Sequence, residues 1–123
     1  MSDPMTEHAD DAPLDLNNLA MLKDLIGDDL KPIVEGFAAQ IPLLLRQIEQ
    51  ALEEQEAADL ILHAHTLKGS SANVGARPLA DVAAQLEQAG KNQDWHQADA
   101  LLTRTKVESE KARVASEAFI AQF

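Results

Sequence analysis

The 123-residue chain has no cysteine, which excludes disulfides and thiolate metal sites. Glycine and proline are scarce, five of each, and with Ala, Leu, Gln and Glu abundant the composition favours helix. Positive charge is also short. Ten Lys and Arg stand against 21 Asp and Glu, for a formal charge of −11, whereas affinity for phosphate backbones needs clustered cations. Nucleic acid and anionic membrane surfaces are therefore not expected as partners, and a protein partner is the alternative. Most of the acids serve solubility. No apolar run reaches transmembrane length and no basic-then-apolar leader opens the chain, so the cytoplasm is the expected location. Period-two alternation, the mark of strands, is missing throughout.

What is present reads as one domain with a single apolar core. Residues 1–13, "MSDPMTEHADDAP", are acidic and aperiodic and are expected to form a disordered tail, with His8 incidental. The domain is expected over 14–123. Asp15 can cap a short helix reaching Ile26, on which Leu16, Leu19, Met21, Leu22, Leu25 and Ile26 cover more than one face, and Gly27 ends it. Asp28 or Asp29 then caps a long helix that tolerates Pro32 in its first turn. Its stripe of Leu30, Val34, Phe37, Ile41, Leu44, Ile48 and Leu52 alternates steps of four and three, as a bundle helix does. Pro42 should kink this helix without ending it, because the stripe stays in phase.

A third helix, Glu56 to Val74, should turn Ala57, Leu60, Ala64, Leu67, Ser71 and Val74 inward and end at Gly75 and Pro78. The fourth should bury Leu79, Val82, Ala83, Leu86 and Ala89, with Gly90 as its C-cap. The fifth begins near Asp94 and leads with Trp95, Ala98, Leu101, Leu102 and Thr105. Its stripe thins to Ala and Val between Glu108 and Glu117, so its last turns should be less well packed. The expected fold class is all-α: an antiparallel four-helix bundle with an additional short N-terminal helix covering one end.

One stretch departs from ordinary amphipathic helix. In "LHAHTLKGSSANVGA", Leu62–Ala76, the weak helix formers Gly69, Ser70 and Ser71 follow a histidine and a lysine. Glycine inside a helix costs about 1 kcal/mol relative to alanine. At roughly 100° per residue, His65 falls about 125° from the centre of the inward stripe. Ile61, Lys68, Gly69 and Ala72 share its side, and Leu62 flanks them. His63 points about 160° away from His65, so the two cannot hold one metal ion, and no metal site is expected.

Gly69 lies one turn after His65 and Ala72 two turns after it, which leaves the surface beyond the imidazole nearly bare. Lys68 adds positive charge to the same region. This is a docking site for a group that reacts with the imidazole, and phosphoryl transfer suits it. A neutral imidazole has a free lone pair, can form a covalent intermediate, and can have the added negative charge offset by a cation. Each feature alone has a bland reading. An exposed histidine near a lysine is usually a solvated face, and Gly69 can be a packing contact. Ser71, with Ala57 and Ala64, can admit a neighbouring helix, and Ser70 and Thr66 can be plain surface. Their coincidence on one face favours function.

The segment "AHTLKGSSANVGA", Ala64–Ala76, resembles the signature of histidine-containing phosphotransfer (HPt) domains of two-component phosphorelays. The flanking "LIGDD", "LLLRQIEQAL", "LAD" and "LEQAGK" are similar to the family's pattern too, and the resemblance runs from Leu14 to Phe119. It implies that His65 is the phosphoacceptor, that Lys68 steadies the phosphoryl group and that Gly69 admits a partner. Ser70 would lie near the phosphoryl group, and Ile61, Leu62 and Ala72 would belong to the partner surface. Many members support the imidazole with a Gln on the next helix. The matching spacing here lands on Glu87, whose carboxylate should repel a phosphohistidine, while Gln85 leaves the helix on the opposite flank. Which of them supports the ring stays open. Lys91 stands where an Arg is frequent. Lys68, taken as solvated, should contribute little to folding.

The resemblance also implies the partners: receiver domains of hybrid sensor kinases and response regulators, which bring the Mg²⁺, so that the chain needs no cofactor of its own and works as a monomer. "KGSS" reverses the order of a P-loop and lacks its upstream glycine. Nor could 123 residues hold both a dimerisation histidine box and an ATP-binding domain. The chain should therefore be a phosphocarrier rather than an autonomous kinase, taking phosphate from one receiver aspartate and passing it to another. Two other classes stay open. One is a receiver-binding bundle without transfer, and the other a phosphoacceptor domain of a chemotaxis-type histidine kinase, fed from ATP.

Overall fold

A computed structural model of the chain describes residues 12–123. The acidic stretch at 1–13, His8 included, lies outside the described residues apart from Ala12 and Pro13. The regular elements are all helical: α1 Leu16–Ile26, a 3-10 turn Gly27–Asp29, α2 Leu30–Glu53, α3 Ala57–Asn73, α4 Arg77–Asn92 and α5 Trp95–Ile120. Helix α3 packs on α2 and α4, and α5 packs on the same two, so four helices enclose the core while α1 leans on α2. No helix among the described residues is long and apolar enough to cross a membrane.

The core is assembled from one stripe per helix. In α2 every residue from Leu30 through Leu52 in the four-three series is buried, and the helix runs unbroken through an exposed Pro42. In α3 the inward residues are Leu60, Ala64, Leu67 and Ser71, and in α4 they include Leu79, Val82, Ala83, Leu86 and Ala89. Ala57 is only half-buried. Of the apolar residues of α1, Leu19 alone is buried and Leu22 half-buried; Leu16, Met21, Leu25 and Ile26 face outward.

Three local expectations are corrected. Asp29 occupies the N-cap of α2 without a side-chain capping bond, because the 3-10 turn carries the chain directly from α1 into α2. Gly90 does not cap α4, which continues to Asn92 and closes on Gln93 in the left-handed conformation. Gly90 is instead a contact point: a Cβ there would meet Ile61 Cγ1 at 3.0 Å and Leu60 at 3.4 Å, so its absence lets α3 and α4 approach. In α5 the stripe does thin after Leu101, but to Thr105, Ser109, Ala112 and Ser116 rather than to Ala and Val, and Val107 and Val114 are exposed. Thr105 and Ser116 bury their hydroxyls by donating to the carbonyls of Leu101 and Ala112, which lets small polar residues serve as core.

The end of α3 is held from two sides. Gly75 takes φ +75°, the Gly75 N–H donates to Ala72 and the Ala76 N–H to Ser71, which closes the helix as a Schellman motif. The carbonyl of Gly75 in turn accepts the N–H of Asp15, the residue whose carboxylate caps α1 at Asn18. A Cβ at position 75 would come within 2.8 Å of Asp15 Cβ. Gly75→Ala combines a left-handed alanine with this clash, so it should cost roughly 2–4 kcal/mol. Urea denaturation measures the loss, and a cost below about 0.5 kcal/mol contradicts the packing described here.

Candidate functional site

Burial along α3 sets the site. Ala64 and Leu67 are fixed in the core, so His65 between them must leave the bundle, and its side chain is 64% exposed. One turn on, Gly69 is exposed with open space where a Cβ would sit, and Ala72 continues the bare track. Leu62 is exposed beside it. Ile61 is half-buried and also lies over Gly90, in the α3–α4 contact. His63 is half-buried and shares no bond with His65.

Helix α4 contributes Glu87, not Gln85. Gln85 is exposed and shares no hydrogen bond with His65 or Lys68. Glu87, only 8% exposed in its side chain, reaches across to α3 and accepts from His65 Nδ1 at 3.0 Å and from Lys68 Nζ at 2.6 Å. Lys91 Nζ, one turn further along α4, stands 3.6 Å from the same carboxylate. The Lys68 hydrogen bond, helped by the bond to His65 and the charges of Lys68 and Lys91, outweighs desolvation and holds the Glu87 carboxyl below its ordinary range. Its stabilising contribution is therefore complete above the ordinary carboxylate range and is lost as pH falls through the lowered folded value.

The carboxylate thus stands on the Nδ1 side of the ring with two ammonium groups beside it. An ionised carboxylate can only accept, so the hydrogen lies on Nδ1 of His65. Nε2, the outer nitrogen, then carries the lone pair. Lys68 is not a solvated lysine either: it is 37% exposed and tied to Glu87. Ser70 donates to Gln40 Oε1 of α2 at 3.0 Å, stitching α2 to α3 beside Gly69. Sequence reasoning missed Gln40, because nothing within α2 alone marks a polar residue that pairs across helices.

A cleft of about 680 Å³ runs along α5, lined among others by Val107, Val114 and Ala118, and does not include His65. Four helices enclosing a hydrophobic core, with one exposed and braced imidazole on the third, define a helical phosphotransfer domain. The Hpt domain family matches residues 32–117, well over half of the chain. The chain belongs to this family. Among solved structures it is similar to histidine-containing phosphotransfer protein B (HptB) from Pseudomonas aeruginosa PAO1, at 27% identity and a TM-score of 0.85, over 90% of this chain and 96% of that one. No curated protein sequence matches it.

Proposed function

We propose that His65 receives a phosphoryl group on Nε2 from the phosphoaspartate of one receiver domain and hands it to the aspartate of another. The observation that carries this reading is the bond from His65 Nδ1 to the buried Glu87, which fixes the tautomer and leaves the Nε2 lone pair facing outward. In the first step that lone pair attacks phosphorus. The phosphorus–oxygen bond to the aspartate breaks, its electron pair stays on the departing carboxylate, and a nitrogen–phosphorus bond forms. The second step reverses these changes on a different aspartate.

Lys68 lies one helical turn from His65, within reach of the incoming phosphoryl oxygens. The donor set suits Mg²⁺ poorly: two ammonium groups, an imidazole and one carboxylate already shared between them do not offer the oxygen ligands this ion prefers. The Mg²⁺ of the reaction belongs to the receiver in this reading. The protein acts as a cytoplasmic monomer, with Leu62, Gly69 and Ala72 as the contact track. Helices α2–α5 are read as antiparallel with α1 as an added helix at one end, since the short connections leave no length for a crossover.

The test is the source of the phosphate. Incubated with phosphorylated candidate receivers, the protein should acquire acid-labile, alkali-stable phosphate within minutes and return it to a second receiver. Labelling only from an ATP-bound kinase domain contradicts the relay. A second expectation concerns Lys68→Ala. Losing a charge-assisted bond to the phosphoryl group should slow transfer about tenfold. Because Glu87 also loses its closest donor, stability should fall by about 1 kcal/mol. Rapid-quench transfer assays and urea denaturation check the two effects, and an unchanged rate returns Lys68 to a purely structural role.

A further inference from the structure

Glu87 is the one buried charged side chain among the described residues; the other buried polar groups are the hydroxyls of Ser71, Thr105, Ser109 and Ser116. Burying a carboxylate carries a desolvation cost that a neutral amide avoids. An amide oxygen at this position could accept the same bond from Nδ1 and orient the ring equally well. Orientation therefore does not account for the charge.

The charge matters once the ring is phosphorylated. With phosphorus on Nε2 and hydrogen on Nδ1, the imidazole is cationic and its Nδ1 proton has become acidic. For the phosphoryl group to leave, the electron pair of the nitrogen–phosphorus bond must return to Nε2. If Nδ1 has kept its proton, the leaving group is neutral imidazole. If the proton has gone to solvent, the leaving group is an imidazolate, a far stronger base and a far poorer leaving group.

We infer that Glu87 holds the proton on Nδ1 of phosphorylated His65 and so sets how far up in pH the phosphoryl group remains transferable. This rests on the reading of His65 as phosphoacceptor. The geometry supports it directly: Glu87 Oε2 is 3.0 Å from Nδ1, the ring nitrogen that does not take the phosphoryl group. The other charged groups facing Glu87 are Lys68 from α3 and Lys91 from α4. Helix α2 meets α3 nearby through the neutral Gln40–Ser70 pair, and α5 faces the core with Ala98, Leu101, Thr105 and Ser109. When a phosphoryl group arrives, Lys68 gains a second anionic partner. Any shift of Lys68 towards it frees Glu87 to grip the Nδ1 proton harder. The unphosphorylated site thus has its carboxylate muted by two cations, and the phosphorylated site has it engaged.

Glu87→Gln separates the two roles, since it keeps an acceptor for Nδ1 and removes the charge. Parent and variant are loaded with phosphoramidate, freed of donor, and followed by ³¹P NMR for first-order loss of phosphate from about pH 5 to pH 10. At the acid end, where Nδ1 is protonated in both, the rates should agree within about twofold. The rate should then fall at a pH at least one unit lower in the variant, so that near pH 8 its phosphohistidine lasts about tenfold longer. Transfer to a receiver should slow in parallel. Free Nε2-phosphohistidine, which has no carboxylate neighbour, is the second reference, and the parent profile should lie at least about one pH unit above it. A parent profile that coincides with either reference overturns the role given to Glu87. A parent that takes no phosphate on His65 overturns the phosphoacceptor reading itself, and this one with it.

Discussion

Replacing His65 with glutamine is expected to abolish phosphoryl acceptance while leaving the fold intact. The imidazole is 64% exposed and its one bond is to Glu87, which keeps Lys68 and Lys91 as partners when the ring is gone. Stability should therefore change by no more than about 0.5 kcal/mol. Acceptance from a phosphorylated receiver should fall below detection, more than about a thousandfold, because no other side chain supplies the nucleophile. His63→Gln and His96→Gln are the matched controls. His63 is half-buried on another face and His96 sits in the first turn of α5, and neither is bonded to a carboxylate among the described residues. Both variants should accept phosphate within about twofold of the parent rate. Labelling that persists in His65→Gln, or vanishes in His63→Gln, moves the acceptor elsewhere.

Gly69 offers the second large effect, and it separates stability from function. A Cβ at this position meets nothing within 4 Å, and the backbone is helical. Gly69→Ala should accordingly stabilise the protein by up to about 1 kcal/mol. Gly69→Gln should keep much of that gain, melting at or above the parent temperature. Its long side chain, however, lies one turn from His65, where a receiver must bring its aspartate within bonding range of Nε2. Phosphotransfer with a receiver should fall tenfold or more, equivalent to at least about 1.4 kcal/mol. Phosphoramidate, which needs less room, should lose much less. If the glutamine variant exchanges phosphate with a receiver at the parent rate, Gly69 has no docking role. If it unfolds, the glycine is a packing residue.

Angles within one helix were legible from the sequence, and contacts between helices were not. The four-three series of α2 and the inward residues of α3 and α4 follow from helical geometry, and so does the exposed track of His65, Gly69 and Ala72. Each needs only the position of a residue around its own axis. Gly90 and Gln93 show where that ends. A glycine near the close of a helix reads as a cap, yet here the close approach of Ile61 requires it, while a glutamine takes the left-handed position. Ser109 and Ser116 keep the three-four phase of the α5 stripe, so their burial follows from helical position, and only their polarity conceals it.

The site divides in the same way. His65, Lys68 and Gly69 share one helix face, and their association could be derived from the residues alone. Glu87 lies on another helix, so the sequence could offer it or Gln85, but not the direction of its carboxylate. Its counter-cations and its place on the Nδ1 side of the ring become visible only once α3 and α4 are docked. The packing of Ile61 over Gly90 and the Ser70–Gln40 bond likewise exist only between helices.

The most direct test of the account is ¹⁵N and ³¹P NMR of the protein labelled at histidine and phosphorylated by a receiver. A single phosphorylated residue, His65, is expected, with phosphorus coupled to Nε2 and the hydrogen retained on Nδ1 towards Glu87. Phosphorus on Nδ1, or on any residue other than His65, would contradict it.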